Sequence, residues 1–146
     1  MEYNGVMDHL VLINSKEEIE SLASGQRSMM VYGVNGARGT FCDIHAGDKV
    51  FFTTNNGAGF VVGQALVKDA FSTKGLRKKP ATLLAAHRKK LNFNDADIRR
   101  WSRKQNIMFV ELSHARQLKP FAVSLSGLSN VRPLVGIGYL NQIRIN

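Results

Sequence analysis

IHAGDKVFFTTNNGAGFVVGQALV, residues 44–67, is the stretch on which the fold turns. Its two arms, Lys49 to Thr54 and Phe60 to Val67, are rich in β-branched and aromatic residues, the types that fit a pleated, half-buried surface. Asn55-Asn56-Gly57-Ala58-Gly59 separates them, and Asn and Gly tolerate the positive φ of a tight turn. The stretch therefore predicts a β-hairpin, with Ala46-Gly47-Asp48 as a second turn before the first arm. Gly63 stands inside the second arm. Glycine weakens a strand unless a bulge, a barrel corner or a ligand needs the room. Two apolar arms, tightly joined, with a small residue at a bend suit the centre of a small closed β-barrel.

On the N-terminal side, His9 to Ile13 is a short apolar run that predicts a strand. Ser15-x-x-Glu18 fits a capping box, Glu17, Glu18 and Glu20 complement a helix N-terminus, and Gly25 suits the helix end. Ile19, Leu22 and Ala23 form the predicted buried stripe. Met29 to Tyr32 predicts a second strand, Gly33 to Gly39 an irregular loop, and Thr40 to Ile44 a single helical turn. On the C-terminal side, Lys68 to Lys79 is polar. Pro80 opens a helix through Leu91, with Leu83, Leu84, His87 and Leu91 along one side. Asn92 or Asn94 caps a second helix, Asp95 to Gln105. Ile107 to Leu112 returns to strand character, Leu118-Lys119-Pro120 ends an extended segment, and Leu134 to Ile145 alternates loosely. The pair of helices interrupts a β pattern. We therefore expect one domain over residues 1–146, with a helical insertion at about residues 74–105.

The charge lies unevenly. Of 20 Lys and Arg residues, eleven fall between Lys74 and Lys104, where only Asp95 and Asp97 oppose them. The rest of the chain balances, so the whole net charge of +9 belongs to the insertion. An excess so localised points to a polyanion, with nucleic acid as the expected partner. The one cysteine, Cys42, rules out an internal disulfide. No apolar run approaches the roughly 20 residues of a membrane span, and the N-terminal stretch lacks the basic start of a signal peptide. A cytoplasmic protein without membrane contact is expected.

Few motifs carry chemistry. Gly57-Ala-Gly59-Phe-Val-Val-Gly63 has its third glycine one residue late for a dinucleotide fingerprint, and a strand follows where a helix should begin. Cys42-Asp-Ile-His45 is half a metal site with no second half, so no metal or other cofactor is expected. His87 suits a partly buried structural position. Glu111 and His114 have no nucleophile beside them, and no catalytic residue is assigned. Trp101 lies among Arg99, Arg100, Arg103 and Lys104. It suits a base-stacking plane, but with Ile98 on its face it better suits an anchor for the helix. The loop Tyr32 to Arg38 combines an aromatic ring, an amide, an arginine fork and glycines that admit close backbone approach.

Residues 34–73 resemble the EVE domain of the PUA-like superfamily. The resemblance is carried by Gly33-Val34-Asn35, Arg38, Gly47-Asp48-Lys49-Val50, Thr54-Asn55, Val62-Gly63-Gln64-Ala65-Leu66-Val67 and Ala70, and more loosely by Leu118-Lys119-Pro120. Related YTH and ASCH domains share parts of the pattern. The resemblance implies an α+β fold: a PUA-like pseudo-β-barrel of five or six mostly antiparallel strands flanked by helices. It also implies a non-catalytic module whose barrel mouth takes a flipped, often modified base of RNA or DNA. Carried across, the pocket would draw on Tyr32, Gly33, Val34, Asn35, Arg38, Thr53, Thr54 and Asn55, with Arg132 as a further candidate. Phosphate contacts would fall to Lys78, Lys79, Arg88, Lys89, Arg99, Arg100 and Arg103. The family often has Trp where Tyr32 stands, and the basic arm here is longer than the family suggests. Two alternatives stay open. One is an ASCH-like amidohydrolase of modified nucleosides, for which Lys49, Thr53 and Glu111 are conceivable residues. The other is an interaction subunit that docks an acidic protein.

Overall fold

The computed structural model describes residues 7–13, 16–34, 44–54, 59–124 and 134–138, with Leu12, Val34, Thr54 and residues 134–138 described by backbone alone. In chain order the elements are β1 (Asp8–Ile13), α1 (Lys16–Ser24), β2 (Met29–Val34), β3 (Lys49–Thr54) and β4 (Phe60–Ser72). Four short helices follow, α2 (Thr73–Leu76), α3 (Pro80–Ala86), α4 (Arg88–Leu91) and α5 (Asp95–Ser102), then β5 (Asn106–Ala122) and β6 (Leu134–Gly138). The strands form one curled sheet in the order β2-β5-β4-β3-β1-β6. β1 runs parallel to β3, and every other neighbouring pair is antiparallel. This is the expected α+β pseudo-barrel of mostly antiparallel strands flanked by helices. Among the described residues no helix is long and apolar enough to cross a membrane.

The hairpin forms as read, with β3 paired to β4 from Lys49↔Leu66 to Thr53↔Val61. Its tip, residues 55–58, lies outside the described residues. β4 continues past Val67 to Ser72, because Asp69 to Ser72 pair with Glu111 to Met108 of β5. The polar Lys68 and Asp69 read locally as a strand end, but long-range pairing outweighs that preference. β5 is longer than expected for the same reason. It follows β4 through three register shifts, and His114 takes a positive φ of 54° along the way. Gly33 and Val34, expected in a loop, are the last residues of β2, paired with Ile107 and Asn106.

Two apolar layers cover the sheet. On one side Ile19 and Leu22 of α1 pack with Val11, Ile13, Met30, Phe52, Met108, Val110 and others. On the opposite side Leu83, Leu84 and Leu91 of the helical arm pack on Met29, Val31, Ile107 and Phe109. β2 and β5 are thus buried on both faces here. This explains why Met29–Val31 and Ile107–Val110 are unbroken apolar runs rather than alternating ones.

The insertion holds four short helices rather than two. Pro80 occupies the first turn of α3. The helix expected through Leu91 breaks at His87, whose backbone leaves helical geometry (φ −111°, ψ 14°). The His87 ring tilts against Phe71 and Phe109, with centroids 5.1 and 5.9 Å away. Burial, and then Lys90, push its pKa below the usual 6.5, so the ring is neutral at pH 7. Asn92 takes the left-handed conformation that ends α4. Asn94 caps α5 in a reciprocal capping box with Asp97. α5 stops at Ser102, three residues before the expected end.

Gly63 sits at a register shift between β4 and both its neighbours, so a bulge does need the room. α1 needs it too. A Cβ at Gly63 would collide with the Ile19 side chain and lie 3.0 Å from the Arg116 carbonyl oxygen. Gly63→Val is therefore expected to cost about 2–3 kcal/mol of stability, measured from urea unfolding. Ile19→Ala alone is expected to cost about 2–4 kcal/mol. The double variant should lose clearly less than the sum, because the valine methyls occupy part of the vacated space. Strictly additive losses would show that α1 does not press on Gly63.

Candidate nucleic-acid interface

The Gly47-Asp48-x-Val50 element forms a buried polar joint. Gly47 turns the chain at φ 96°, which only glycine adopts readily. The turn places Asp48 inside the protein, 3% exposed, beside His9, 0% exposed. The Asp48 Oδ1 accepts from the Met7 amide at 3.1 Å, and Oδ2 accepts from the His45 amide at 2.9 Å. His9 Nε2 lies 2.9 Å from Oδ2, while His9 Nδ1 is buried without a hydrogen-bond partner. Burial pushes the Asp48 carboxyl upward, but the His9 bond and the two backbone amides together outweigh it and hold the pKa below the ordinary value. Asp48 thus joins β1, the turn and β3. The sequence motif contained this residue without disclosing its structural task.

The expected pocket residues divide between the two faces of the sheet. Tyr32 is half-buried on the α1 side, and its hydroxyl donates to Met30 Sδ at 3.4 Å. Gly33 is exposed on the arm side. A Cβ there would lie 3.5 Å from Lys104 Cδ and 3.7 Å from Trp101 Cζ3. Thr53 is fully buried, and its Oγ1 donates to the Phe60 carbonyl at 3.0 Å, closing the hairpin. Val34 and Thr54 are described only as strand backbone. Asn35, Arg38, Asn55 and Arg132 lie outside the described residues, as does Cys42 of the half metal site. Among the described residues no three His, Cys, Asp or Glu side chains converge on a metal position.

The arm's cations are sorted by its packing. Arg88 bonds Asp95 at 2.7 Å and the Phe93 carbonyl at 3.0 Å. Lys90 reaches Glu111 at 2.9 Å, with Lys68 3.8 Å from the same carboxylate. Arg100 lies 3.5 Å from Asp97. Lys78, Lys79, Lys89, Arg99 and Arg103 are exposed, and none forms an ion pair with a described carboxylate. Arg88, Lys89 and Asn92 border an open hollow of about 410 Å³ on the arm surface. Trp101 is an anchor. It stacks on Phe93 at 6.5 Å and packs toward Leu83, Leu84 and Leu91. Lys104, just past α5, lies 5.8 Å over its ring, and both side chains border the exposed Gly33 near the end of β2.

The sequence reading missed three members of this surface. Lys104 was hidden in its charge run. Thr73 is buried, and its Oγ1 accepts from the Ile107 amide at 3.1 Å, fastening the arm to β5. Leu76 is exposed among cations; its isolation from any apolar stripe was the available signal.

Similar architecture occurs in solved structures of an ASCH protein from Zymomonas mobilis. Its structure superposes with a TM-score of 0.66 at 10% identity, over 90% of this chain and 87% of that one. A tyrosine-to-phenylalanine mutant gives 0.67 at 10% identity, covering 90% of each chain. A serine-to-alanine mutant gives 0.66 at 11%, covering 91% and 89%. The fold is ASCH-like. No family model matches the chain, and no curated protein does. The likeness extends over about nine-tenths of both chains.

Proposed function

We propose that this chain is a non-catalytic nucleic-acid-binding module of the EVE-like kind. The arm holds the phosphate backbone, and the loop leaving β2 selects a base, modified or not. Support comes from one placement. The arm turns Leu83, Leu84 and Leu91 to the sheet and keeps outward several cations that pair with no described carboxylate, and Trp101 and Lys104 at its end border Gly33 near the end of β2. Charges at such positions release counterions when they meet phosphates. In this reading Asn35 and Arg38 of that loop read the base, with Thr54 and Asn55 of the hairpin as further candidates and Tyr32 contributing from the α1 face. Lys78, Lys79, Lys89, Arg99 and Arg103 contact phosphates.

Fluorescence anisotropy with labelled oligonucleotides tests this. If four or five cations engage phosphates, affinity is expected to fall by about 10²-fold or more between roughly 50 and 200 mM salt. Affinity that does not respond to salt would remove the arm from binding. A panel of DNA and RNA, single-stranded and duplex, with and without base modifications, then reads the selectivity.

The ASCH-like fold favours a second reading, a hydrolase acting on modified nucleosides. The three conceivable residues are poorly disposed for it. Lys49 and Thr53 lie four residues apart on β3, about 13 Å along the strand. Thr53 is committed to Phe60, and the Glu111 carboxylate is held by Lys90. Turnover of an acylated cytidine would favour the hydrolase over the binder.

A further inference from the structure

The segment from Ser72 to Lys79 forms a rigid knuckle at the head of the arm. Ser72 Oγ accepts from the Gly75 amide at 2.9 Å. A Cβ on Gly75 would lie 3.1 Å from that oxygen, a tight contact. The amides of Arg77 and Lys78 bond back to the carbonyls of Lys74 and Thr73 at 3.3 and 3.1 Å. Arg77 closes the turn in the left-handed region, φ 53° and ψ 43°, where a side chain is unfavourable and glycine is usual. The buried Thr73 hydroxyl fixes the knuckle to Ile107, and Ile107 pairs with Gly33. At the tip stands Leu76, 48% exposed. Lys74, Arg77, Lys78 and Lys79 surround it in sequence, all exposed and in no ion pair with a described carboxylate.

We propose that this knuckle is a wedge for nucleic-acid duplexes: Leu76 enters between adjacent base pairs while the cations beside it hold the flanking phosphates. The inference rests on the nucleic-acid reading above. An exposed leucine flanked in sequence by four exposed cations disfavours pairing with a second copy of itself and suits a partner that is anionic outside and apolar within. A stacked duplex is such a partner, and apolar side chains inserted between base steps partly unstack them. The fixed backbone lowers the ordering cost of insertion. Through Thr73 and Ile107 the wedge is fastened to the end of β2 at Gly33.

The test uses short DNA and RNA duplexes carrying 2-aminopurine, whose fluorescence rises on unstacking. Wild-type protein is expected to raise it severalfold. Leu76→Ala is expected to bind about tenfold more weakly, with an unchanged salt slope and no fluorescence rise, and Leu76→Met is expected to restore both. Salt-sensitive binding without a rise, a rise that persists in Leu76→Ala, or binding to single strands alone would overturn the wedge and leave the nucleic-acid reading intact. No salt-sensitive binding to any oligonucleotide would overturn both. A concentration-dependent dimer abolished by Leu76→Ala would assign the leucine to self-association and overturn the wedge.

Discussion

Asp48→Ala is expected to destabilise the protein by about 3–5 kcal/mol, because it removes the acceptor of three hydrogen bonds at once. The residue is 3% exposed and bonded by His9 and by the amides of Met7 and His45. Alanine leaves the buried His9 ring and the partly buried Met7 and His45 amides without their acceptor, each at a desolvation cost. Asp48→Asn retains one carbonyl oxygen and is expected to lose about half as much. Its amide turns a donor toward groups that are themselves donors, so it cannot be neutral. Chemical denaturation at fixed pH measures both.

The same carboxyl makes a pH prediction. Its native pKa lies below the ordinary 3.8, so the unfolded chain binds the proton more readily than the native one. The stabilisation is complete above the unfolded value and is lost as pH falls through the lower native value. Wild type should therefore lose stability more steeply than Asp48→Asn as pH drops below about 4. Parallel acid slopes would mean that the joint contributes no charge-dependent stability.

Neutralising four outward cations, Lys78, Lys79, Arg99 and Arg103, to glutamine is expected to lower oligonucleotide affinity by about 10²–10³-fold at low salt. The salt slope should flatten by about 1 for each phosphate that is no longer engaged. Stability should hardly move, because exposed side chains away from buried networks change it by only about 0.5 kcal/mol. Lys90→Gln supplies the contrast. Lys90 is tied to Glu111, 2.9 Å away, so its loss should affect stability more than binding. Unchanged affinity in the fourfold variant, with intact folding by circular dichroism, would move the binding surface off the arm.

Local chemistry made much of this fold legible. The glycine past α1, Pro80 and Asn94 all mark boundaries that the structure keeps. Periodicity placed the leucines of the arm on one side, and the lopsided charge picked out the insertion. Pairings distant in sequence were not legible. The extension of β4 depends on Asp69 facing Glu111, and two polar residues in a row give no local hint of it. Gly33 looked like the start of a loop because glycine marks turns, yet the ladder with Ile107 makes it strand. That strand alternation sends Tyr32 and the exposed side of Gly33 to opposite faces, which a reading of the loop as one cluster could not foresee. Ile19 against Gly63 and His9 against Asp48 join residues about forty apart in sequence, and neither leaves a periodic trace.

The double burial of β2 and β5 has an evolutionary corollary. Met29, Val31, Ile107 and Phe109 are covered by the leucines of the arm, so excising the arm would bare a sticky patch on an otherwise sound barrel. The limb cannot be shed, but its outer side is free to drift. Descendants can exchange solvent-side lysines and arginines, and so alter the surface charge, while the inner leucines hold the scaffold constant.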